Sequence, residues 1–97
     1  MGPIFQMSYS QLRAFHYVAL KGGFSRAAEA MNISQPGVSE QVRKLEQDYD
    51  VLLFNRGRRV ISLTAVGQKL FLLTKRFFEI EQEIEEYISE TRAEMDG

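Results

Sequence analysis

Ninety-seven residues, 44% hydrophobic and 26% charged, make one soluble globular domain and leave no room for a second. No Cys and a single His exclude disulfide bracing and structural zinc, so association with another copy is the stabilising aid left to so small a chain. The net charge of −1 divides into eleven Lys and Arg against five acids through residue 76 and Arg92 against eight acids after it, which points to a polyanion partner for the first block and a solvated helix face for the second.

Met1 to Gln6 has no periodicity and holds Gly2 and Pro3, so residues 1–7 read as a flexible tail, with Met7 a second or original start. From Ser8 or Ser10, either able to cap a helix, Leu12, Phe15, Val18 and Ala19 recur at helical spacing until Gly22 and Gly23 end the pattern. Ser25 is expected to cap a second, short helix whose Ala27, Ala28 and Met31 form a small-residue face, and Asn32 suits the left-handed turn that ends it. Ser34 is expected to cap a third helix, with Pro36 in a first turn where a missing N–H costs nothing and Val38, Val42 and Leu45 as its apolar stripe. Two short helices about a tight turn match the helix-turn-helix arrangement.

Val51 to Phe54 and Val60 to Leu63 read as two short strands joined by Asn55, Arg56, Gly57, Arg58 and Arg59. The hairpin tip thus sets three arginines about a glycine, as a basic projection beside the helix-turn-helix or as a solubilising edge. From Thr64, a good N-cap, Val66, Leu70, Leu73, Phe77, Ile80, Ile84, Tyr87 and Thr91 alternate steps of four and three, a heptad seam. A helix from Ala65 to about Glu94 would be ~45 Å long, more than so small a domain buries, so the seam calls for a partner helix from a second copy. Phe71, Leu72 and Phe78 form a further stripe suited to packing back on the first three helices.

Several segments in order carry a family resemblance: Leu12 and Phe15, then Gly23-Phe24-Ser25-Arg26-Ala27-Ala28, then Ser34-Gln35-Pro36 with Val38-Ser39. They are followed by Leu45-Glu46, Leu53-Phe54 with Arg56, and Leu63-Thr64 with Gly67. From Leu12 to about Leu73 the chain resembles the amino-terminal DNA-binding domain of LysR-type transcriptional regulators; no one segment decides it, but their order and spacing do. The resemblance implies a mainly α fold: a winged helix-turn-helix of three helices and a short β-hairpin wing over residues 8–64, then a long linker helix over 65–95. It implies bacterial double-stranded operator DNA as partner and a homodimer through the linker helix, often assembled further into tetramers. It also implies a small-molecule effector acting only through a domain not present here, so the chain reads as an isolated DNA-binding fragment or a naturally short protein.

A recognition helix reads bases near its amino end, where free backbone N–H groups also face phosphate. The residues placed there are Ser34, Gln35, Pro36, Gly37, Ser39 and Glu40. Gln35 suits two-pronged pairing with adenine and Pro36 a thymine methyl, while Ser34 and Pro36 also serve simply as helix-start residues. Three positions depart from the family pattern. Gly37 replaces a residue with a methyl to offer, Glu40 stands where many relatives have arginine and suits cytosine N4 rather than phosphate, and Asp50 stands where a glycine usually ends the helix. Phosphate contacts are expected from Ser25, Arg26, Ser34, Ser39, Lys44 and Thr64, with Arg56, Arg58 and Arg59 reaching backbone or a narrow minor groove. Arg43 is equally suited to phosphate or to pairing with Glu40 or Glu46. The dimer contacts are expected from Leu70, Leu73, Phe77, Ile80, Ile84 and Tyr87.

His16 lies beside an apolar stripe with no second ligand, so it reads as a satisfied or surface histidine. Glu79, Glu83 and Glu86 read as solvated flanks of the seam rather than a metal or acid/base cluster. With no Gly-rich phosphate loop, no nucleophile beside a base and no ligand cluster, no enzyme, cofactor or metal is expected. No apolar run nears the ~20 residues that span a bilayer and no secretory pattern opens the chain, so the expected location is cytoplasmic, without a membrane partner. The rival reading is a coiled-coil module whose helical head binds protein; the basic excess, on the helix-turn-helix and hairpin rather than the seam, favours DNA.

Overall fold

Ser8 opens the first helix, α1 (Tyr9–Lys21), through a capping box in which its hydroxyl accepts from the Gln11 backbone N–H at 3.0 Å and the Gln11 side chain accepts from the Ser8 N–H. Gly22, at φ 77°, closes that helix in the left-handed conformation glycine adopts freely. The computed structural model describes residues 7–57 and 60–96, so the expected tail through Gln6 and the wing arginines Arg58 and Arg59 lie outside the described residues.

The second helix, α2 (Phe24–Met31), begins one residue before the expected cap. Gly23 is its N-cap and supplies no side chain, so Ser25 sits exposed inside the first turn. Phe24 is drawn into the helix by packing edge-on to Phe54, ring centres 5.7 Å apart. Asn32 ends α2 in the left-handed region at φ 58°, as its short polar side chain permits. The third helix, α3 (Gln35–Tyr49), is capped by the Ser34 hydroxyl, which accepts from the Gly37 N–H at 3.1 Å, and ends at Asp50 with φ 51°. Asp50 therefore holds the conformation that favours glycine.

Ala14, Phe15 and Val18 of α1, Ala27 and Ala28 of α2, and Val38, Val42 and Leu45 of α3 meet in one core, closed by Leu53 and Phe54. The small alanines of α2 let the other two helices approach it closely. Two two-residue antiparallel strands, β1 (Phe54–Asn55) and β2 (Ser62–Leu63), pair Phe54 with Leu63 and Asn55 with Ser62. The ladder is shorter than the expected strands because Val51 to Leu53 bonds elsewhere. The Val51 N–H donates to the Glu46 carbonyl at 3.0 Å, the Leu53 N–H to the Glu46 carboxylate at 2.8 Å, and the Leu53 carbonyl accepts the Thr64 N–H at 3.0 Å.

The last helix, α4 (Ala65–Asp96), has 32 residues and is about 48 Å long. Its inward stripe is Gly67, Leu70, Phe71, Thr74 and Phe78. Leu72 stands about 100° around the helix from Phe71 and is exposed, so only Phe71 and Phe78 of the expected second stripe pack back. The Phe78 ring lies 4.7 Å from His16 and 5.8 Å from Tyr9. His16 is buried, with Nδ1 2.9 Å from the Thr74 hydroxyl. That hydroxyl donates to the Phe71 carbonyl at 3.1 Å, so its lone pair faces the ring and the imidazole donates. From Gln82 to Met95 every α4 residue is exposed, and the radius of gyration, 15.9 Å, exceeds the ~12.5 Å of a compact chain this long.

Candidate nucleic-acid interface

The buried face of α3 carries Val38, Val42 and Leu45, and at about 100° per residue the opposite face carries Pro36, Glu40, Arg43 and Gln47. Pro36, Arg43 and Gln47 are exposed and Glu40 is half-exposed. A helix held by one apolar face and lined on the other by donors and acceptors has the shape and chemistry that a major groove admits.

Among the expected base readers, Gln35 lies exposed at the helix start with its amide Nε2 donating to the Ser39 hydroxyl at 3.0 Å. One amide proton and the carbonyl of Gln35 remain, which is the pair adenine requires. Gly37 is half-buried and its N–H is held by the Ser34 hydroxyl, so Gly37 contributes no free donor there. Glu40 accepts from Arg43 Nε at 3.0 Å and Nη2 at 2.5 Å, while Arg43 Nη1 donates to the Gln47 side-chain Oε1 at 2.7 Å. This resolves the two partners open to Arg43 in favour of Glu40. The pairing holds the Glu40 carboxyl below its ordinary range. Lys44 lies 4.0 Å from the same carboxylate and is half in solvent.

Ser25 and Arg26 are exposed in the first turn of α2, a helix start without a side-chain cap. Gly23, Ser25 and Arg26 line a shallow cleft whose other wall is Val60 and Ile61 of the wing. Arg43 and Arg56 line a second cleft between α3 and the wing, with Gln47 and Leu52. Arg56 is not a free cation: its Nη1 is 2.9 Å from Glu46 and its guanidinium stands over the Phe24 ring at 5.6 Å. Thr64 is committed as well. Its hydroxyl donates to the Leu52 carbonyl at 2.6 Å and accepts the Gly67 N–H at 3.0 Å, so the expected phosphate donor has already used its proton.

On α4, Leu70 departs from the expected dimer set by packing against the chain's own core. Leu73, Phe77, Ile80, Ile84 and Tyr87 are exposed, 45% to 67%. Among the described residues no helix is long and apolar enough to cross a membrane, and no group of three His, Cys, Asp or Glu could hold a metal ion.

Residues 9–68 match the family described as bacterial regulatory helix-turn-helix protein, lysR family. The chain belongs to the LysR family. Its relatives include the RuBisCO operon transcriptional regulator of Allochromatium vinosum, 38% identical over 82 residues, 84% of this chain and 27% of that protein. A probable RuBisCO transcriptional regulator of Nostoc sp. is 42% identical over 73 residues, 75% of this chain and 22% of its own length. The chain thus spans about a quarter of the length of these LysR-family relatives, which are regulators of transcription rather than enzymes.

Solved structures agree. The DNA-binding domain of CbnR in complex with DNA superposes with a TM-score of 0.73 at 34% identity, over 82% of this chain and 92% of that one. A full-length OxyR variant from Pseudomonas aeruginosa gives 0.78 at 34% identity, over 87% and 28%. The fold is the LysR-family winged helix-turn-helix with a long following helix.

Sequence reasoning missed one residue of this surface. Gln47 extends the outward face of α3 beside Arg43, and the Glu40-Arg43-Gln47 spacing of three and four was available as a signal. Glu46 entered as part of a family motif and as a partner open to Arg43, and its bonds to Arg56, Leu53 and Phe54 went unread, because a carboxylate beside Leu45 reads as an amphipathic boundary until the wing closes over it.

Proposed function

We propose that the chain is a sequence-specific binder of double-stranded operator DNA, a homodimer joined through α4, in a bacterial transcription regulator. The observation that carries the reading is the face of α3 opposite its buried stripe, where Pro36, Glu40, Arg43 and Gln47 follow Gln35 and Ser39. Gln35, Pro36 and Ser39 supply base contacts, with Gly37 allowing close approach of the helix start, and Glu40, a base reader by sequence, is bound to Arg43 on the same face. Arg26, Lys44 and the free N–H groups at the uncapped start of α2 supply phosphate contacts, Ser25 and Ser34 flank them, and Arg58 and Arg59 supply further backbone or minor-groove contacts. The DNA complex of the CbnR domain, a relative by fold and sequence, supports the same reading. A DNA partner implies residence beside the chromosome, in the cytoplasm of a bacterium.

The domain boundaries follow: residues 8–64 present the DNA surface and 65–95 the dimer surface. Leu73, Phe77, Ile80, Ile84 and Tyr87 form a row that this chain leaves in water. A row of that size is stabilised by a partner helix.

The test is operator selection from a randomised duplex pool, followed by titration of parent and Gln35→Ala on the selected and a scrambled duplex at one salt concentration. The expected result is a loss of about 1–3 kcal/mol on the selected duplex and little change on the scrambled one. Equal losses on both would make Gln35 a backbone contact. A parent chain with no preference for any duplex would overturn the reading.

A further inference from the structure

We infer that Arg43 is a specificity-determining residue of this domain, reading a guanine, and that Glu40 is the positioning residue that aims it. The inference rests on the DNA-binding reading above. It reassigns Glu40, which by sequence alone is itself the base reader.

An arginine on an exposed helix face next to DNA is ordinarily drawn to phosphate, which carries no sequence information. Three features of Arg43 oppose that. First, Glu40 takes it on the Nε–Nη2 edge, at 3.0 and 2.5 Å, so much of the charge a phosphate would attract is already met by a carboxylate. Lys44, 4.0 Å from the same oxygen, leaves Glu40 with cations on two sides, and Arg43 holds its carboxyl below the ordinary range. Glu40 therefore stays ionised as the polyanion approaches.

Second, the donor count selects an edge. A guanidinium has five N–H groups. Glu40 takes one on Nε and one on Nη2, and Gln47 takes one on Nη1 at 2.7 Å. One N–H remains on each Nη. Because Glu40 lies toward the start of α3 from Arg43 and Gln47 toward its end, the two acceptors flank the fork, and the pair left for guanine O6 and N7 is the parallel one at its tip.

Third, the group is held in place. Arg43 is clamped by residues three before and four after it on the same helix, so its rotamers are largely fixed before DNA arrives and less entropy is lost on contact. It lies with Glu40 and Gln47 on the face opposite Val38, Val42 and Leu45, where a groove-facing side chain belongs.

The test uses the selected operator with each guanine replaced singly by 7-deazaguanine, which lacks the N7 acceptor. The parent chain should lose roughly 5- to 150-fold at one position, the fold equivalent of a bidentate base contact. Arg43→Ala should be insensitive at that position and lose a similar factor on the unmodified operator. Glu40→Gln, with Arg43 intact, should lose most of the same sensitivity, and the double variant should be no worse than Arg43→Ala alone. If no 7-deazaguanine weakens the parent, or if Arg43→Ala keeps the parent's full sensitivity, Arg43 is not a guanine reader. Equal losses for Arg43→Ala on operator and scrambled DNA would make it a phosphate contact and overturn the proposal. A Glu40→Gln variant with full sensitivity would overturn the positioning role. In each case the operator preference that underlies the proposed function would stand; a parent chain without any operator preference would remove both.

Discussion

Glu46, only 6% exposed, places one carboxylate oxygen 2.9 Å from Arg56 and gives the other to the backbone N–H groups of Leu53 and Phe54, at 2.8 and 3.4 Å. One side chain thus joins the recognition helix to the base of the wing, and Arg56 is held by it rather than left to the solvent.

Removing Arg56 should therefore cost stability. Arg56→Ala leaves a buried charged acceptor short of a donor, worth about 1–2 kcal/mol once the partial exposure of the arginine is allowed for. Glu46→Ala should cost more, since two backbone donors lose their acceptor too. Urea unfolding of the two variants checks the order; an Arg56→Ala chain as stable as the parent would show that the ion pair does not hold the wing.

Gly67 stands where α4 crosses the chain between α3 and the wing. A Cβ there would overlap the Leu53 carbonyl oxygen and press on the Leu63 side chain, and that carbonyl already accepts the Thr64 N–H. Gly67→Ala should destabilise by about 2 kcal/mol, a typical overpacking cost, lowering Tm by roughly 8–16 °C for a domain this size. An unchanged Tm would mean that the crossing relaxes without loss.

His16 makes stability depend on pH. Burial, then the charge of Lys75, lowers its pKa below the ordinary 6.5, so the folded chain binds fewer protons than the unfolded one at mildly acidic pH. The stability from the neutral ring is complete above about 6.5 and is lost as pH falls through the folded value. Between pH 7.5 and 5.5 the parent should lose stability and His16→Phe, which keeps the ring contacts with Phe71 and Phe78, should lose less. Parallel slopes for the two would remove His16 as the cause.

Ile80 and Ile84 test the partner assigned to α4. Replacing both by Lys should turn a dimer into a monomer in sedimentation equilibrium at micromolar concentration, with the helical signal of the domain retained. A monomeric parent would mean that the exposed row serves some other contact.

The helices were largely legible in the sequence because caps and apolar period agreed: Ser8, Ser34, Asn32 and the Val38-Val42-Leu45 stripe all act locally. The misreadings came where distant groups decide. Phe24 joins α2 because Phe54 waits for its ring, which no local propensity reports. The strands shortened because Glu46 and Thr64 claim the backbone of Val51 to Leu53. Leu70 fits the heptad yet packs inward, since the buried stripe of α4 runs Gly67, Leu70 or Phe71, Thr74 and Phe78 beside the seam. At the site, residue types were readable and their pairings were not: Gln35 with Ser39, Glu40 with Arg43 and Arg56 with Glu46 depend on rotamers that only the folded helix and wing select.

The most direct test of the central claim is affinity for a selected operator duplex and a scrambled duplex, each measured across a series of salt concentrations. Phosphate contacts predict that log affinity falls linearly with log salt on both duplexes, at a slope of about −0.9 per phosphate contacted. Base readout from α3 predicts that the operator stays tighter at every salt concentration, by at least about 4 kcal/mol. Two coincident lines would contradict sequence-specific binding, and affinity without salt dependence would contradict DNA as the partner of the basic block.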